Sequence, residues 1–276
     1  MLEPLPVLRK RDRPVRPFAR YLPAAKARNW LAQGWRDLTA DPWPSLAYGL
    51  GLTLLSYAVL WILYSADLLY LALPAVSGFL IVGPFLAMGL YEKSRVRDEE
   101  ARSLGLWGML FFRPRSGAQM AFAGLLLGLL VLFWLRAADL LYALFFGIVP
   151  FPGTTEAFVN TLTTPRGWAL VMTGGLVGAL FAAFAFAISL FSIPMLAAER
   201  RDALTALGLS LAMTSQNLKP CLAWGAIVAI GVGLAVLTGL IGLIVVLPIL
   251  GHGTWHAYRA IRGDAVPAAG PDRHPS

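Results

Sequence analysis

The chain has 276 residues, of which 58% are hydrophobic and 14% are charged, and its formal net charge is +8 at neutral pH. About a quarter of the residues of a typical soluble domain are charged, so this composition excludes an ordinary soluble protein and predicts an integral membrane protein. The single cysteine, Cys221, excludes an intrachain disulfide and a cysteine-based metal site formed by one chain.

Six apolar runs are long enough to predict transmembrane helices. They lie at about 45–64, 71–91, 117–137, 167–196, 219–237 and 240–258. Of the 23 Lys and Arg residues, all but Arg136 and Arg166 lie in the termini or in the connections between spans two and three and between spans four and five. Because short basic segments stay in the cytoplasm, both termini are predicted to be cytoplasmic. The excess of positive charge then indicates contact with anionic lipid head groups at the cytoplasmic face, and not binding of nucleic acid.

A short amphipathic segment precedes each odd-numbered span. These segments read ARNWLAQGWRDLTADP, SLGLWGMLFFRP and DALTALGLSLAMTSQNLKP. Each places apolar side chains at helical spacing on one face: Trp30, Gly34, Trp35 and Leu38 in the first, Leu104, Trp107 and Phe111 in the second, and Leu204, Leu207 and Leu211 in the third. The pattern predicts three helices that lie in the cytoplasmic interface, and ordinary cytoplasmic loops are the alternative.

An internal repeat relates the spans. GPFLAMGLYEKSR (83–95) and LPILGHGTWHAYR (247–259) share Pro, Leu, Gly, an aromatic residue and Arg at the same spacing, and PSLAYG (44–49) matches PCLAWG (220–225). FFRPRSG (111–117) and PMLA (194–197) give a weaker middle copy. The sequence therefore predicts an all-α integral membrane protein whose six transmembrane helices form three pseudo-repeated hairpins, each preceded by a short interfacial amphipathic helix.

The domain organisation follows from these boundaries. A single polytopic membrane domain is expected over 26–262, with hairpin repeats at about 26–95, 101–200 and 202–262. The basic segment 1–25 and the Pro-rich segment 263–276 are expected to be disordered in the cytoplasm, because neither contains an apolar run that a fold would bury.

Several prolines and glycines are predicted to have structural roles. Prolines near the cytoplasmic ends of the even-numbered spans each remove one backbone hydrogen bond and permit a kink. Glycines at four-residue spacing permit close approach of helix backbones, and two further glycines occupy matching positions of the repeat. These residues are Pro84, Pro194 and Pro248, the pair Gly174 and Gly178, and the repeat pair Gly89 and Gly253.

The candidates for chemistry are His252 and His256, whose i, i+4 spacing places both imidazoles on one helical face. In the register of the repeat, His256 corresponds to Glu92, so these three residues are candidate metal ligands, and haem is the other cofactor that histidines could hold. The alternative is that they are polar residues at the membrane interface, since two histidines alone are too few ligands. No Ser/His/Asp grouping, phosphate-binding loop or carboxylate pair stands out along the sequence, so no catalytic residue is predicted.

With these segments in view, the chain resembles a family of bacterial predicted integral membrane proteins, domain of unknown function 2189. The resemblance runs from about residue 26 to 262 and is carried by WLAQGWRDL, GFLIVGPFLAMGLYEKSR, PMLAAERRDALTALGLSLAMTSQN and GHGTWHAYR. It implies a multi-span protein of the bacterial inner membrane and implies no activity, substrate or catalytic residue.

The expected function is therefore that of a non-enzymatic membrane scaffold or accessory subunit in the bacterial inner membrane. The partner protein is not identified by the sequence, and no cofactor is expected. Two alternatives stay open: a carrier or channel for a neutral or weakly polar solute, and a metal- or haem-binding redox accessory that uses His252 and His256.

Overall fold

The computed structural model describes residues 17–66, 82–147 and 154–263, and over these ranges the regular structure is entirely helical. The helices are α1 (Lys26–Ala40), α2 (Pro42–Ser65), α3 (Met88–Glu100), α4 (Leu106–Leu110), α5 (Gly117–Phe146), α6 (Thr154–Thr163), α7 (Pro165–Ser189), α8 (Ser192–Ala198), α9 (Ala203–Gln216), α10 (Leu218–Leu237) and α11 (Leu243–Arg262). Residues 82–86 are also helical and lead into α3. The predicted all-α class is confirmed for the part of the chain that is described.

Local signals set several helix starts. α2 opens on Pro42, where the missing N–H costs nothing because the first turn has no intrahelical acceptor for it. α7 opens on Pro165, and the hydroxyl of Thr164 accepts a hydrogen bond from the Gly167 N–H at 3.0 Å. The Asp202 carboxylate caps α9 by accepting from the Thr205 N–H at 2.8 Å.

Within the described ranges, four helices are long and apolar enough to cross a membrane: Pro42–Ser65, Gly117–Phe146, Pro165–Ala198 and Leu218–Leu237. They coincide with the first, third, fourth and fifth predicted spans. Most of the second predicted span, 71–91, lies outside the described residues. The sixth predicted span, 240–258, falls on α11, which is a helix but is not among the four.

α11 is less apolar than the four membrane-spanning candidates, and its position in the bundle explains why. It packs against α1, α2, α3, α8 and α10, so much of its surface contacts protein. Gly34 of α1 and Gly49 of α2 permit the closest contacts: a Cβ added to Gly34 would lie 2.2 Å from the carbonyl oxygen of Ile249, and one added to Gly49 would lie 2.5 Å from that of Ile244. A helix sheltered by protein in this way can hold polar residues that a lipid-facing helix would not.

The amphipathic helix α1 forms where it was predicted, but its apolar face does not meet lipid. Trp30 is completely buried and makes an edge-to-face contact with Trp224 of α10 at a ring-centroid distance of 6.1 Å. Leu38 is also buried, whereas Trp35 is half exposed. The prediction that the whole face lies in the membrane interface is therefore wrong for Trp30 and Leu38, because both are buried by protein, Trp30 against Trp224 of α10.

The other two lead-in segments also contain helices. α4 is a single short helix, and the rings of Trp107 and Phe111 stack 5.7 Å apart while both side chains stay more than two thirds exposed. In α9 the predicted leucine face is divided: Leu207 is buried, whereas Leu204 and Leu211 are exposed. Small residues of α9 pack inward in their place, so its buried face differs from the leucine face expected.

The predicted disorder of residues 1–25 does not extend to residues 17–25. The backbone N–H groups of Phe18 and Arg20 donate to side-chain oxygens of Gln216 and Asn217, both at 3.0 Å. The Arg20 guanidinium donates to the carbonyl oxygens of Ile261 and Arg262, also at 3.0 Å. This segment therefore ties the end of α9 to the end of α11, and residues 1–16 and 264–276 lie outside the described residues.

The predicted structural glycines and prolines have different surroundings. A Cβ on Gly178 would lie 2.8 Å from the ring of Trp134, which joins α7 to α5, whereas no described atom lies within 4 Å of a Cβ built on Gly174. Pro194 is buried in α8, Pro248 is buried inside α11, and Pro84 is half-buried in the helical residues 82–86.

Candidate functional site

Four helices bring buried polar side chains together at one end of the bundle. Asp37 of α1 is 7% exposed, while Ser45 of α2, Ser94 of α3 and His252 of α11 have no exposed surface. Polar groups are seldom buried unless they bind one another, so this cluster needs a complete set of partners. We call these four residues the polar network.

A continuous chain of hydrogen bonds runs through the polar network. The Ser45 Oγ lies 3.0 Å from His252 Nε2, and the Ser94 Oγ lies 2.7 Å from His252 Nδ1. The Ser94 hydroxyl also donates to Asp37 Oδ2 at 2.6 Å. Both imidazole nitrogens of His252 are therefore engaged by serine hydroxyls.

The Asp37 carboxylate and the Lys93 ammonium, at the two ends of this series of hydrogen bonds, determine which atom donates in each bond. An ionised Asp37 only accepts, so the Ser94 proton points to Asp37 and the Ser94 oxygen accepts from His252 Nδ1–H. Nε2 of a neutral His252 is then an acceptor, which the Ser45 hydroxyl fills. The oxygen of Ser45 in turn accepts from Lys93 Nζ at 3.0 Å. The bonds thus run in one sense from the Lys93 ammonium to the Asp37 carboxylate.

Lys93 of α3 is held entirely by protein groups. Its side chain is only 4% exposed, and its Nζ donates to the carbonyl oxygen of Asp41 at 2.7 Å and lies 3.2 Å from Asp41 Oδ2. With the bond to Ser45, all three ammonium protons have acceptors. The Ser103 hydroxyl also donates to the Asp41 carboxylate, so the linker between α1 and α2 is fastened to α3 and to the segment that follows it.

The second histidine extends the cluster towards the surface. His256 Nε2 lies 2.9 Å from Asp37 Oδ2, and His256 Nδ1 lies 3.7 Å from Asp98 Oδ2. The Trp255 indole N–H donates to the same Asp98 oxygen at 3.0 Å. His256 is therefore an acid-paired histidine near the surface, unlike the serine-bound His252.

Asp37 has the strongest set of partners in the cluster. Burial alone would raise the pKa of its carboxyl, but the hydrogen bonds from His256 and Ser94 outweigh burial and hold the pKa below the ordinary value of 3.8. Arg97 adds a weaker contact, since its Nε lies 3.8 Å from Asp37 Oδ1. Asp37 is accordingly ionised at neutral pH, as the direction of the hydrogen-bond chain requires.

The third candidate metal ligand, Glu92, is bound elsewhere. Its two carboxylate oxygens accept from Nε and Nη2 of Arg95 at 2.8 and 2.7 Å. Across the described ranges, no three His, Cys, Asp or Glu side chains are grouped so that they could hold a metal ion. The metal hypothesis for His252, His256 and Glu92 stays a prediction, and the geometry gives each of the three a protein partner.

A second polar cluster lies at the ends of α8 and α11. Glu199 accepts hydrogen bonds from the Arg262 guanidinium at 2.9 and 3.0 Å and from the Tyr258 hydroxyl at 2.5 Å. These partners outweigh burial and lower the pKa of Glu199. The Ser116 hydroxyl donates to the carbonyl oxygen of the same residue at 2.9 Å, which fastens the start of α5 to this cluster.

A cavity of about 390 Å³ opens beside the polar network. Its lining is mostly charged or hydroxylic and comprises Asp37, Ala40, Asp41, Lys93, Ser94, Arg97, Ala101, Arg102, Ser103 and His252. Ser45 has no exposed surface, so the hydroxyl that binds the acceptor nitrogen of His252 is not presented to a substrate. Although the sequence suggested no Ser/His/Asp grouping, the fold assembles one, and its members come from four different helices.

The fold and the site together define an all-helical integral membrane protein with a polar, self-paired region at one end of its apolar helices. Residues 71–197 match the family model described as "Predicted integral membrane protein (DUF2189)", which confirms over these residues the resemblance to that family stated from the sequence. Neither the curated proteins nor the solved structures contain a match to this chain.

Proposed function

We propose that this protein is a non-enzymatic scaffold or accessory subunit of the bacterial inner membrane, with six membrane spans and both termini in the cytoplasm. The observation that carries the proposal is that the two ends of each predicted hairpin are joined by polar contacts on the same side of the bundle. These contacts, together with the packing of α4 against α3, build one folded region from α1, α3, α4, α8, α9 and the C-terminal part of α11. We call this region the basal layer.

The first hairpin illustrates the argument. α2 is long and apolar enough to cross the membrane, yet Asp37 before it and Ser94 after it are in direct contact at 2.6 Å. A chain that crosses once between these residues must cross again before it reaches Ser94. This supports a second span in the interval that the sequence assigns to 71–91.

The last hairpin supports a sixth span in the same way. Asn217, directly before α10, donates to the carbonyl oxygen of Phe18 at 2.7 Å, and Arg20 of the same segment binds the carbonyl oxygen of Ile261 at the end of α11. The start of α10 and the end of α11 are therefore on the same side of the bundle. If α10 crosses the membrane, α11 must cross it in the opposite direction. The low hydropathy of α11 is compatible with a span because other helices shelter it.

The middle hairpin closes likewise. The N–H groups of Arg115 and Ser116, directly before α5, donate to the carbonyl oxygens of Ala197 and Leu196 at the end of α8 at 3.1 and 3.2 Å. If α5 crosses the membrane, the α7–α8 segment must therefore cross it in the opposite direction. This supports three hairpins whose two ends all lie on the same side of the membrane.

The repeat has a structural counterpart in the first and last hairpins. A Cβ on Gly89 would lie 2.8 Å from the Tyr48 ring, and one on Gly253 would lie 2.5 Å from the Trp224 ring. The sequence repeat pairs Gly89 with Gly253, and it also pairs Tyr48 with Trp224. The same glycine-on-aromatic contact therefore recurs between equivalent helices, which supports a duplicated hairpin.

Charge and exposed aromatic side chains support a cytoplasmic position for the basal layer next to anionic lipid head groups. Short basic segments remain in the cytoplasm, and 8 of the 23 Lys and Arg residues lie in the segments that form this layer, with others in the connections between them. The exposed, stacked rings of Trp107 and Phe111 lie directly before Arg113 and Arg115. Aromatic rings followed by arginines suit the boundary between acyl chains and anionic head groups.

A scaffold role suits the way in which the polar groups are used. The donors and acceptors of the polar network bind one another and so hold four helices together. The basal layer nevertheless keeps exposed apolar side chains, such as Trp35 and Leu204, which are the residue types that protein partners bury.

Site-specific photocrosslinking in living cells tests this role. A photoreactive phenylalanine analogue would replace Leu204, which is 65% exposed on α9, and Leu144, which is 76% exposed at the far end of α5, would serve as the matched control. The proposal predicts one discrete protein adduct from position 204 that position 144 does not give. Absence of any discrete protein adduct from position 204 and from a second basal-layer position, Trp35, would contradict a scaffold.

A further inference from the structure

We propose that the cavity beside the polar network is a binding site for a phosphate group, either on a small soluble compound or on the head group of an anionic lipid. This goes beyond the scaffold role, which needs no ligand in the cavity. Its residues come from α1, the α1–α2 linker, α3, the segment after α3 and α11.

The charge of the lining favours an anion. Lys93, Arg97 and Arg102 are positive, whereas only Asp37 and Asp41 are negative, and His252 is neutral in the hydrogen-bond chain. The lining therefore has a net positive charge in a partly enclosed space, where electrostatic attraction is stronger than on an open surface.

The two carboxylates in the cavity are already paired with protein groups, whereas donors remain unused. Asp37 Oδ2 accepts from Ser94 and His256, and Asp41 Oδ2 accepts from Ser103 and lies against the Lys93 ammonium. Asp37 Oδ1 faces Arg97 Nε at 3.8 Å. The arginines have donors to spare, because each guanidinium has five N–H groups.

Arg97 and Arg102 supply those spare donors. Arg97 contacts Asp37 through Nε and Nη1, and Arg102 contacts Glu100 through Nη2 at 3.1 Å. Their side chains are 40% and 68% exposed, so both guanidiniums can be reached from solvent or from the lipid head-group region. Two arginines beside a cavity suit a phosphate, which accepts paired hydrogen bonds from a planar guanidinium.

The backbone at Ala101 gives the cavity its shape. Ala101 adopts the left-handed conformation, with φ of 50° and ψ of 30°, at the end of α3. The left-handed conformation is unfavourable for residues other than glycine. It turns the chain so that Arg102 and Ser103 lie along the cavity wall. Strained backbone that lines a charged cavity is a feature of ligand sites, and the methyl groups of Ala40 and Ala101 leave the interior open.

The volume limits the ligand. About 390 Å³ lies at the small end of the range for ligand pockets, so the cavity suits a small phosphate compound or a lipid head group. A free phosphate compound and a phospholipid head group share this chemistry, and the experiment has to separate them.

The test uses the full-length protein in an uncharged detergent, with inorganic phosphate as the soluble probe at constant ionic strength set by chloride. The proposal predicts a saturable rise of the unfolding temperature with phosphate, with an apparent affinity at least about tenfold weaker in Arg102→Gln, since one charge-assisted hydrogen bond has roughly this effect on affinity. Arg102 makes only an exposed ion pair, so the variant should fold. Arg136→Gln, which removes an exposed arginine far along α5, should bind like the unmodified protein.

A second arm uses lipid nanodiscs of phosphatidylglycerol or phosphatidylcholine. Stabilisation by inorganic phosphate that Arg102→Gln weakens supports a soluble phosphate compound. Stabilisation by phosphatidylglycerol alone, weakened by the same variant, supports a lipid head group. Absence of stabilisation by both probes, or an equal effect in Arg102→Gln, overturns the proposal. Neither result bears on photocrosslinking from Leu204, so failure of this site and failure of the scaffold role are distinguishable.

Discussion

Ser94 Oγ and His252 Nδ1 lie 2.7 Å apart, although 158 residues separate them in the chain. Ser94 comes from α3 of the first predicted hairpin and His252 from α11 of the last predicted hairpin, so this bond joins segments from the two ends of the sequence repeat. Because Ser94 donates to Asp37 and His252 accepts from Ser45, one imidazole fixes the relative positions of four helices. The loss of His252 should therefore destabilise the basal layer by more than the loss of a side chain of that size would.

Replacement of His252 by alanine tests that dependence. The variant leaves the buried Ser45 O–H without its acceptor and the Ser94 oxygen without its donor, although Ser94 keeps Asp37 and Ser45 keeps Lys93, and it opens a void. The free energy of unfolding should therefore fall by about 2–4 kcal/mol. Unfolding in a denaturing detergent would measure the change. Met172→Ala, at a position 75% exposed on α7, is the control and should change stability little. Equal stability of the two variants would show that the polar network does not hold the helices together.

The pH dependence of unfolding should report Asp37. Since its partners hold the pKa of Asp37 below 3.8, its ionised form stabilises the fold above that pH, and this contribution is lost as the pH falls further towards the folded-state pKa. We expect the unfolding temperature to fall as the pH drops below about 4, with a shallower fall in Asp37→Asn, because linkage follows the difference in pKa between the two states. Glu199, whose pKa is also lowered, accounts for part of the remaining slope. An identical slope in Asp37→Asn would contradict the assigned role of Asp37.

Two glycines on different helices should respond in opposite ways to alanine. At Gly34 the added methyl group would lie 2.2 Å from the Ile249 carbonyl oxygen, a backbone atom that no side-chain rotation can move. Gly34→Ala should destabilise the protein by about 1–3 kcal/mol, as overpacking does. Gly174→Ala meets no described atom within 4 Å and should be neutral or slightly stabilising, since alanine favours a helix more than glycine. A greater loss of stability in Gly174→Ala than in Gly34→Ala would show that α1 does not contact α11 as described.

The sequence predicted the lipid-facing helices well, because each apolar run of α2, α5, α7 and α10 is a direct consequence of contact with the hydrocarbon core. It could not predict the polar network, since Asp37, Ser45, Ser94 and His252 lie in four separate segments and no local spacing indicated that these side chains would meet. The repeat did bring α3 and α11 into correspondence, but it indicated Glu92 as the partner of the histidines. Ser94 is two residues further on, a rotation of about 200° around the helix, so the facing side of α3 was not the predicted one.

The cofactor hypothesis can be tested on purified protein. Because both nitrogens of His252 bind serine hydroxyls and Glu92 binds Arg95, we expect no Soret band and less than stoichiometric metal in the unmodified protein. The same result is expected for the His252→Ala, His256→Ala double variant. Absorption spectra and metal analysis by mass spectrometry provide the comparison. Stoichiometric metal or haem that the double variant loses would make these histidines a cofactor site.

The central claim is that the hairpins close on the cytoplasmic side, and cysteine labelling tests it most directly. In a Cys221→Ala background, a membrane-impermeant maleimide would be applied to Glu99→Cys on α3 and to Thr155→Cys in the connection after α5, in right-side-out and inside-out vesicles. We predict that position 99 reacts only in inside-out vesicles and that position 155 reacts only in right-side-out vesicles. Reaction of both positions from the same side of the membrane would contradict the account.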